Sequence, residues 1–230
     1  MNINYKTDEI SKSYFREHIK TESPVIFDIG CYNGKDSLEF YELFSNPTIY
    51  AFEADKRSIE LFKKNVGINK HIHLNDIALS DKNGIVEWYA SDSKKSRHHV
   101  FQKNWPASSS IKKPQRHIEL FKDIFFEKNN TVNSMCLDTW IKDREINFID
   151  VMWVDVNGAE FEFIKGALQT INEKVRYLYI EFSATEKGEI YEGSLTYKHI
   201  IEMLDGFKNL GVYNFMGNFG NILLENKFLD

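Results

Sequence analysis

The sequence predicts an α/β fold in which a mainly parallel sheet carries helices on both faces and an antiparallel strand at one edge. Apolar runs of strand length alternate with stretches whose apolar residues recur at helical spacing. The segment Val25 to Ser37 (VIFDIGCYNGKDS) also joins a buried strand to a helix through a glycine-containing turn. Nucleotide-binding α/β proteins place their ligand at such a turn.

Length and composition predict a single domain. A chain of 230 residues with 42% hydrophobic content can bury one sizeable core and does not require a second. We expect residues 1–22 to form a helical cap and residues 23–230 to form one domain, interrupted by a basic insertion at about 91–117. Cys31 and Cys136 lie far apart without a Cys or His partner at metal spacing, which favours two reduced thiols.

Charge and hydropathy indicate the compartment and limit the partners. The first twenty residues contain no apolar stretch suited to a signal peptide, and no run approaches membrane-spanning length. We therefore expect a cytoplasmic protein without a membrane span. A net charge of −5 argues against wholesale nucleic-acid binding. The oligomeric state stays open.

The elements can be taken in chain order. The first is an amphipathic helix with Ile10, Tyr14, Phe15 and Ile19 on one face. The first half then predicts a strand from Val25 to Asp28, a helix from about Lys35 to Phe44, a strand from Thr48 to Phe52, a helix with Ile59, Phe62 and Val66 that Asp55 can cap, a strand from about Ile72 to Asn75, and a Gly84-led strand, IVEWY. The second half predicts a strand TVNSM, a short helix LDTWI, a buried strand DVMWVDV, a helix with Phe161, Ile164, Leu168 and Ile171, a strand VRYLYIEF, a helix from Tyr197 to Leu204, and strands at Val212 to Phe215 and Ile222 to Leu224.

The glycine turn predicts the kind of nucleotide. Gly30 and Gly34 form G-x-x-x-G, and Tyr32 stands where a dinucleotide fingerprint has the glycine that lets the backbone approach a pyrophosphate. A bulky residue there favours an adenosine ligand without phosphates, for which S-adenosylmethionine is the obvious candidate. Glu53 ends the next apolar run, where a carboxylate can accept hydrogen bonds from both ribose hydroxyls.

Acidic residues end successive apolar runs, and ligands of open α/β sheets bind at the carboxyl ends of the strands. Any one of these acids alone could be a helix cap or a solvated charge. Asp76, with Ile77 and Ala78, is expected beside the adenine, where its carboxylate can accept from the exocyclic amine. The acids at strand ends are Asp28, Glu53, Asp76, Asp155 and Glu181.

The segment WVDVNGAEFEFIKGA is the sharpest local motif. Asp155 ends a strand, Gly158 allows a tight turn, and Glu160 lies in the first turn of the next helix. A structural interpretation is open, because Asp155 or Asn157 could cap that helix and Glu160 could oppose its dipole.

Six segments in this order and spacing, DIGCYNG, AFEAD, NDIALSDKNG, ASSSIKKP, LDTWI and VDVNGAEFEFIKGA, resemble the FkbM family of S-adenosylmethionine-dependent methyltransferases. The resemblance covers roughly Val25 to the C-terminus and implies the class I methyltransferase (Rossmann-like) fold with S-adenosylmethionine as cofactor. It implies cofactor contacts at Asp28, Gly30, Gly34, Glu53, Asp76 and Ala78. The full predicted cofactor set adds Cys31, Tyr32, Asn33, Ser37, Ala54, Ile77 and Asp155.

The chain also departs from the family pattern. Asn157 stands where many members have Glu or Gln, and Trp153 stands where many have Lys, so no role of that Lys is carried over. The Tyr191-Glu192-Gly193 turn resembles a subgroup often found with glycan biosynthesis.

The carboxylates are the predicted catalytic residues. Asp155 is the first candidate for a general base or a metal ligand, and Glu160 and Glu181 could bind the acceptor or the methionine ammonium group. Carboxylates gathered at one cleft could hold Mg²⁺ through oxygen, so a divalent metal is possible and not required. The ligands of such a metal are left unassigned.

The segment Ser93 to His117 contains basic residues and no acidic ones, which predicts a lid over an anionic acceptor. The alternative is a solvated basic loop. The predicted acceptor-binding residues are Ser108, Ser109, Ser110, Lys112, Lys113 and Arg116.

The leading function is O-methylation of a sugar, nucleotide-sugar or anionic glycan in polysaccharide or natural-product biosynthesis. Alternatives are an N-methyltransferase acting on a small metabolite and a cofactor-binding protein without catalysis. An NAD-dependent oxidoreductase is disfavoured by Tyr32 and by the absence of a Tyr-x-x-x-Lys pair.

Overall fold

A seven-stranded mixed sheet forms the centre of the protein. The structure is a computed structural model, which describes residues 6–93, 105–185 and 187–229, without the side chains of Lys128 and Asn129. The strands of this sheet are β1 (Val25–Ile29), β2 (Thr48–Glu53), β3 (Ile72–Asp76), β7 (Ile149–Val154), β8 (Val175–Phe182), β11 (Phe207–Tyr213) and β12 (Gly220–Asn226). Their order across the sheet is β11-β12-β8-β7-β1-β2-β3.

The pairing of the strands confirms the predicted fold class and shows which strands are antiparallel. β1 pairs in parallel with β2 and β7, and β7 pairs in parallel with β8. β12 is antiparallel to both of its neighbours, β8 and β11, so the terminal pair of strands forms the predicted antiparallel edge, with β11 outermost. The reason is the terminal hairpin: β11 runs parallel to β8 at a distance of two strands, and the chain then turns back to fill the gap with β12.

In the described part of the chain, seven helices and two small sheets surround the central sheet. The helices are α1 (Ser13–His18), α2 (Lys35–Leu43), α3 (Lys56–Val66), α4 (His117–Leu120), α5 (Leu137–Trp140), α6 (Glu160–Lys174) and α7 (Tyr197–Met203). One small sheet has the order β4-β6-β5, with β4 (Ala78–Leu79), β5 (Gly84–Ser93) and β6 (Ile124–Met135). The other pairs β9 (Ala184–Thr185) with β10 (Gly188–Glu189), and a 3₁₀ turn spans Pro106–Ser108.

Two predicted boundaries were wrong. β6 begins at Ile124 and not at Thr131, because it pairs with β5 along nearly its whole length and backbone bonds carry the strand through the polar residues 127–130. α1 covers only Ser13–His18, although Ile10, Phe15 and Ile19 are all buried together as the predicted helical face required. Residues 1–5 of the predicted cap lie outside the described residues.

Neighbouring residues of the central strands face opposite layers of the core. Phe27 and Met152 pack with the α5 and α6 side, whereas Ile26 and Val151 pack with α1, α2 and α3 on the other face. This alternation buries both faces of the sheet and leaves the carboxyl ends of the strands as the accessible edge. Within the described ranges, no helix is both long and apolar enough to cross a bilayer.

Candidate functional site

A cleft lies at the carboxyl ends of β1, β2 and β7, and we call it the strand-end pocket. Its walls include several residues that the sequence predicted to bind a cofactor. These are Gly30, Tyr32, Glu53, Ala54, Ile77, Ala78 and Asp155.

Gly30 allows β1 and β7 to come together at the floor of this pocket. Its φ is +80°, and a Cβ atom at this position would lie 1.7 Å from the backbone oxygen of Asp155. The Asp155 N–H donates to the Ile29 carbonyl at 2.9 Å, and the Gly30 N–H donates to the Phe52 carbonyl at 2.9 Å. Only glycine fits here, because any side chain would force the two strand ends apart.

Glu53 is held rigidly at the edge of the pocket by the backbone. Its carboxylate accepts from the N–H groups of Tyr32 at 3.0 Å, Ala54 at 2.7 Å and Asp55 at 2.8 Å. Burial raises the pKa of Glu53 to about 7, and these three donors oppose that rise. The turn that contributes Tyr32 has φ +45° at that residue, a left-handed conformation that directs its N–H to Glu53.

Three of the predicted cofactor-binding residues, in the glycine turn or in the elements that it joins, are buried. Asp28 is buried inside β1 and accepts a hydrogen bond from the Ser37 hydroxyl, and burial raises the pKa of Asp28 to about 7. Cys31 is buried against the α1 and α2 side of the core. These side chains stabilise the turn, and their direct contact with a cofactor stays a prediction.

The remaining residues of the turn start α2. The Asn33 side-chain oxygen accepts from the Lys35 N–H at 3.1 Å. Gly34 has φ +79°, and a Cβ atom there would lie 2.5 Å from the Val66 side chain of α3. Both residues therefore shape the loop on its outer side.

Asp76 differs from Ile77 and Ala78 in its position relative to the strand-end pocket. It pairs with Glu53 across β2 and β3, and its side chain is exposed at the end of the strand. Ile77 and Ala78 line the strand-end pocket. A contact between the Asp76 carboxylate and a nucleobase stays a prediction.

Asp155 is the carboxylate that faces the cleft directly after β7. Its side chain is accessible from the strand-end pocket. The surrounding protein and the neighbouring Asp36 raise the pKa of Asp155 to about 6. At neutral pH the group is therefore ionised, and it is more basic than an ordinary aspartate.

A second cavity lies on the other side of the turn after Asp155, and we call it the Tyr191 cavity. Polar groups in its lining include His117, Glu181, Ser183 and Tyr191. Glu181 ends β8, and burial together with Asp155 and Glu160 raises its pKa well above the usual range. The structure thus brings Asp155 and Glu181 to the same end of the sheet, in two adjoining cavities.

Glu160 lies beneath the turn and belongs to the lining of neither cavity. It is fully buried in the first turn of α6, where its Oε1 accepts from the Gly158 N–H at 2.9 Å. Its Oε2 has no hydrogen-bond partner among the residues that the structure describes, and burial raises its pKa to about 8. A catalytic role for Glu160 stays a prediction.

Asn157 forms the wall between the two cavities, a role that sequence reasoning missed. It lines both, and its amide donates to the carbonyls of Ala107 at 3.1 Å and Ser109 at 3.3 Å. The Ser110 hydroxyl donates to the Asn157 carbonyl at 2.7 Å. Its positive φ of +52° was a signal the sequence could not show, although asparagine tolerates that conformation better than most residues.

Hydrogen bonds anchor the serine triplet, residues 108–110, beside the site. The Ser109 hydroxyl donates to Asp55 at 3.0 Å and accepts from the Ser91 N–H at 2.9 Å. The Ser108 carbonyl accepts from the Tyr191 hydroxyl at 2.9 Å. Asp55 caps α3, as predicted. Ser109 also lines the strand-end pocket, so a contact with an acceptor stays a prediction.

The predicted basic residues lie outside the lining of both cavities. The Lys112 ammonium pairs with Glu162 at 2.6 Å, and the Arg116 guanidinium donates to the Lys187 carbonyl. Lys113 is exposed. The other basic residues of the predicted lid, Lys94, Lys95, Arg97 and Lys103, lie outside the described residues.

The described residues can be compared with what a metal site requires. Within residues 6–93, 105–185 and 187–229, no group of three or more His, Cys, Asp or Glu side chains is arranged to hold a metal ion.

Comparison with known families decides the class. The family model described as Methyltransferase FkbM domain matches residues 28–214. The chain belongs to the FkbM methyltransferase family. It is an S-adenosylmethionine-dependent methyltransferase, and the match begins at the glycine turn and runs through β11.

Individual relatives agree with this assignment. The chain is 31% identical over 208 residues to the 2-O-methyltransferase NoeI of Sinorhizobium fredii (strain NBRC 101917 / NGR234), covering 90% of this chain and 82% of NoeI. It superimposes on the FkbM methyltransferase of Methylobacillus flagellatus KT with a TM-score of 0.51 at 13% identity, covering 92% of this chain and 46% of that one. A putative rRNA-methylase from Clostridium thermocellum gives 0.51 at 10% identity, with coverages of 93% and 92%. These two structures support the class I methyltransferase fold alone.

Proposed function

We propose that this methyltransferase transfers the methyl group of S-adenosylmethionine to a hydroxyl of a sugar or related polyhydroxylated acceptor, in glycan or natural-product biosynthesis. The observation that carries the choice of oxygen is Asp155, a carboxylate with a pKa of about 6 that faces the strand-end pocket. A hydroxyl needs a base near neutral pH to take its proton, whereas an amine needs one less. The name of the relative NoeI, a 2-O-methyltransferase, supports the same choice.

The residues of the strand-end pocket fit S-adenosylmethionine. Glu53, fixed by three backbone N–H groups, can accept from the ribose hydroxyls, and Ile77 and Ala78 offer an apolar wall to the adenine. The carboxylate of Asp36 can accept from the methionine ammonium group. When bound, the cofactor supplies an electrophilic methyl group whose carbon–sulfur bond breaks, with its electron pair left on sulfur, as the acceptor oxygen forms the new bond.

Asp155 would then take the proton of the acceptor hydroxyl. General-base catalysis of this kind contributes about 10² to 10⁴ in rate, and correct positioning of the two reactants contributes about 7 to 11 kcal/mol in favourable cases. The Ser110 contact with Asn157 and the backbone bond from Asp155 to Ile29 keep the turn that carries this carboxylate in place.

The substitution Asp155→Asn tests this role. We expect cofactor affinity within about threefold of the parent and a kcat at least about 10² lower, because only the base is lost. Labelled S-adenosylmethionine, supplied with panels of glycosides and of primary amines, gives the transferred atom. Full activity of the variant, or methylation of amines alone, would contradict the proposal.

Two finer features are part of the proposal. An anionic substituent of the acceptor would bind outside the two cavities, near the exposed Lys113. A cytoplasmic location is supported by the two free thiols, Cys31 and Cys136, which fit a reducing compartment where the methyl donor is made.

A further inference from the structure

The Tyr191 cavity combines flat aromatic walls with a few polar groups. Phe121, Tyr191 and Phe219 supply apolar surface, and His117 and Glu181 supply hydrogen-bonding groups. Cavities of this composition bind small ligands that are apolar on their faces and polar at their edges. The residues proposed to bind S-adenosylmethionine do not line this cavity.

We propose that the Tyr191 cavity is the acceptor site, and that His117 and Glu181 there recognise an uncharged ring that bears hydroxyl groups. This inference rests on the proposed function and adds the place, the recognising residues and the charge of the acceptor ring.

Position is the first argument. Asn157 lines both the Tyr191 cavity and the strand-end pocket, so only the turn after Asp155 separates the two spaces. Tyr191 packs against this turn so closely that a Cβ atom on Gly158 would lie 2.4 Å from the Tyr191 Cβ. A ring held by the cavity therefore lies next to the turn that carries the proposed base.

The hydrogen-bonding state of His117 is the second argument. The residue is only 4% exposed, and its Nδ1 has no partner among the described groups. A buried polar atom left without a partner costs about 1 to 3 kcal/mol, and a hydroxyl of a ligand in the cavity would supply that partner. The ring is fixed by Phe121, Phe126 and Tyr191, with centroid distances of 4.7, 5.0 and 5.4 Å.

The charge of the lining is the third argument. Burial lowers the pKa of His117 to about 4, so the imidazole is neutral and offers one donor and one acceptor, as a hydroxyl does. The acidic groups around the cavity are Glu181, Glu160 and Asp155, and among its described lining residues none is a Lys or Arg. An anionic ring would find no cation in this lining to balance its charge, and a neutral polyol needs none.

The test compares His117→Phe with His73→Phe. Phenylalanine keeps the aromatic packing around residue 117 and removes both ring nitrogens, and His73 is an exposed histidine of β3 remote from the cavity. The probes are neutral methyl hexosides and methyl 6-deoxyhexosides, with methyl glucuronide as the anionic counterpart. Binding is measured by ligand-observed NMR with S-adenosylhomocysteine present, so that no turnover is needed.

We expect His117→Phe to weaken binding of the best neutral glycoside at least about tenfold, which corresponds to one lost hydrogen bond, while cofactor affinity stays at the parent value and Tm does not fall. His117→Gln, which keeps a donor and an acceptor, should restore part of the binding, and His73→Phe should change nothing. Methyl glucuronide should bind more weakly than its neutral counterpart.

The outcomes separate the two proposals. Transfer to a glycoside hydroxyl with an unchanged KM in His117→Phe would overturn the acceptor site and leave the proposed function standing, as would tighter binding of the glucuronide. Transfer to amines and to no glycoside would overturn the proposed function, and the neutral hydroxylated ring with it.

Discussion

Glu160→Gln should make the protein more stable at neutral pH. Glu160 is fully buried, its Oε2 has no partner among the described groups, and its pKa is raised by burial from 4.5 to about 8. At pH 7 the folded protein must keep this carboxyl protonated, whereas the unfolded chain gains free energy by ionising it. A pH of 7 lies about 2.5 units above the ordinary pKa of 4.5, and at about 1.4 kcal/mol per unit this gives an upper value of roughly 3.5 kcal/mol, so we expect a gain of about 2 to 3 kcal/mol.

The sign follows from proton binding. Between pH 4.5 and 8 the native state holds one more proton than the unfolded state at this site, so its contribution to stability is complete below pH 4.5 and is lost as the pH rises to about 8. Glutamine has no such proton and keeps the acceptor for the Gly158 N–H. The advantage of the variant should therefore be near zero at pH 4.5 and should grow with pH up to about 8.

Chemical unfolding from pH 5 to 9 measures this directly. Glu173→Gln is the matched control, because it makes the same change at an exposed carboxylate on the same helix, α6. A stability difference that is independent of pH, or a loss of more than about 1 kcal/mol at pH 7, would refute the reasoning. Methyl transfer by the stabilised variant would also show whether Glu160 has the catalytic role predicted from sequence.

Three further predictions concern the cleft and the surface. Gly30→Ala should lower Tm by at least about 5 °C and abolish cofactor binding in calorimetry, because its Cβ overlaps the Asp155 backbone oxygen; parent-like values of both would show that the strand ends are not in contact. At pH 8, above its pKa of about 7, Glu53 is mostly ionised, so Glu53→Gln should there weaken S-adenosylmethionine binding about tenfold or more because a charged acceptor becomes a neutral one; equal affinity would remove Glu53 from the cofactor site. Neutralising Lys112, Lys113 and Arg116 together should raise the KM of an anionic acceptor and flatten its salt dependence, and an unchanged KM and salt slope would rule out an anionic subsite there.

The strand-end pocket was predictable because each strand end that forms it has its own local signal in the sequence. Asp28, Glu53 and Asp155 each follow an apolar run, and parallel strands bring such endings to one edge of the sheet. The pattern located the cleft but did not tell which acids line it. Asp28 is inside its strand and bonded to Ser37, whereas Glu53 and Asp155 open into the pocket.

The Tyr191 cavity could not be predicted in the same way. Its walls come from segments far apart in the chain, joined by contacts such as the Tyr191 hydroxyl to the Ser108 carbonyl, across 83 positions. A lone histidine such as His117 gives no signal in sequence, because its importance depends on burial and on a missing partner. The length of β6 could not be predicted for a related reason. Its polar residues belong to the strand because their backbone pairs with β5.

The position of β12 also determines when the sheet can be completed during synthesis. This strand follows all the others in sequence, yet it occupies an interior slot between β8 and β11. Until residues 220–226 have left the ribosome, the facing edges of β8 and β11 carry unpaired N–H and C=O groups, which are templates for wrong pairing with other chains. Nascent chains that stall before Gly220 should therefore depend on chaperones, however well their cofactor half has already folded.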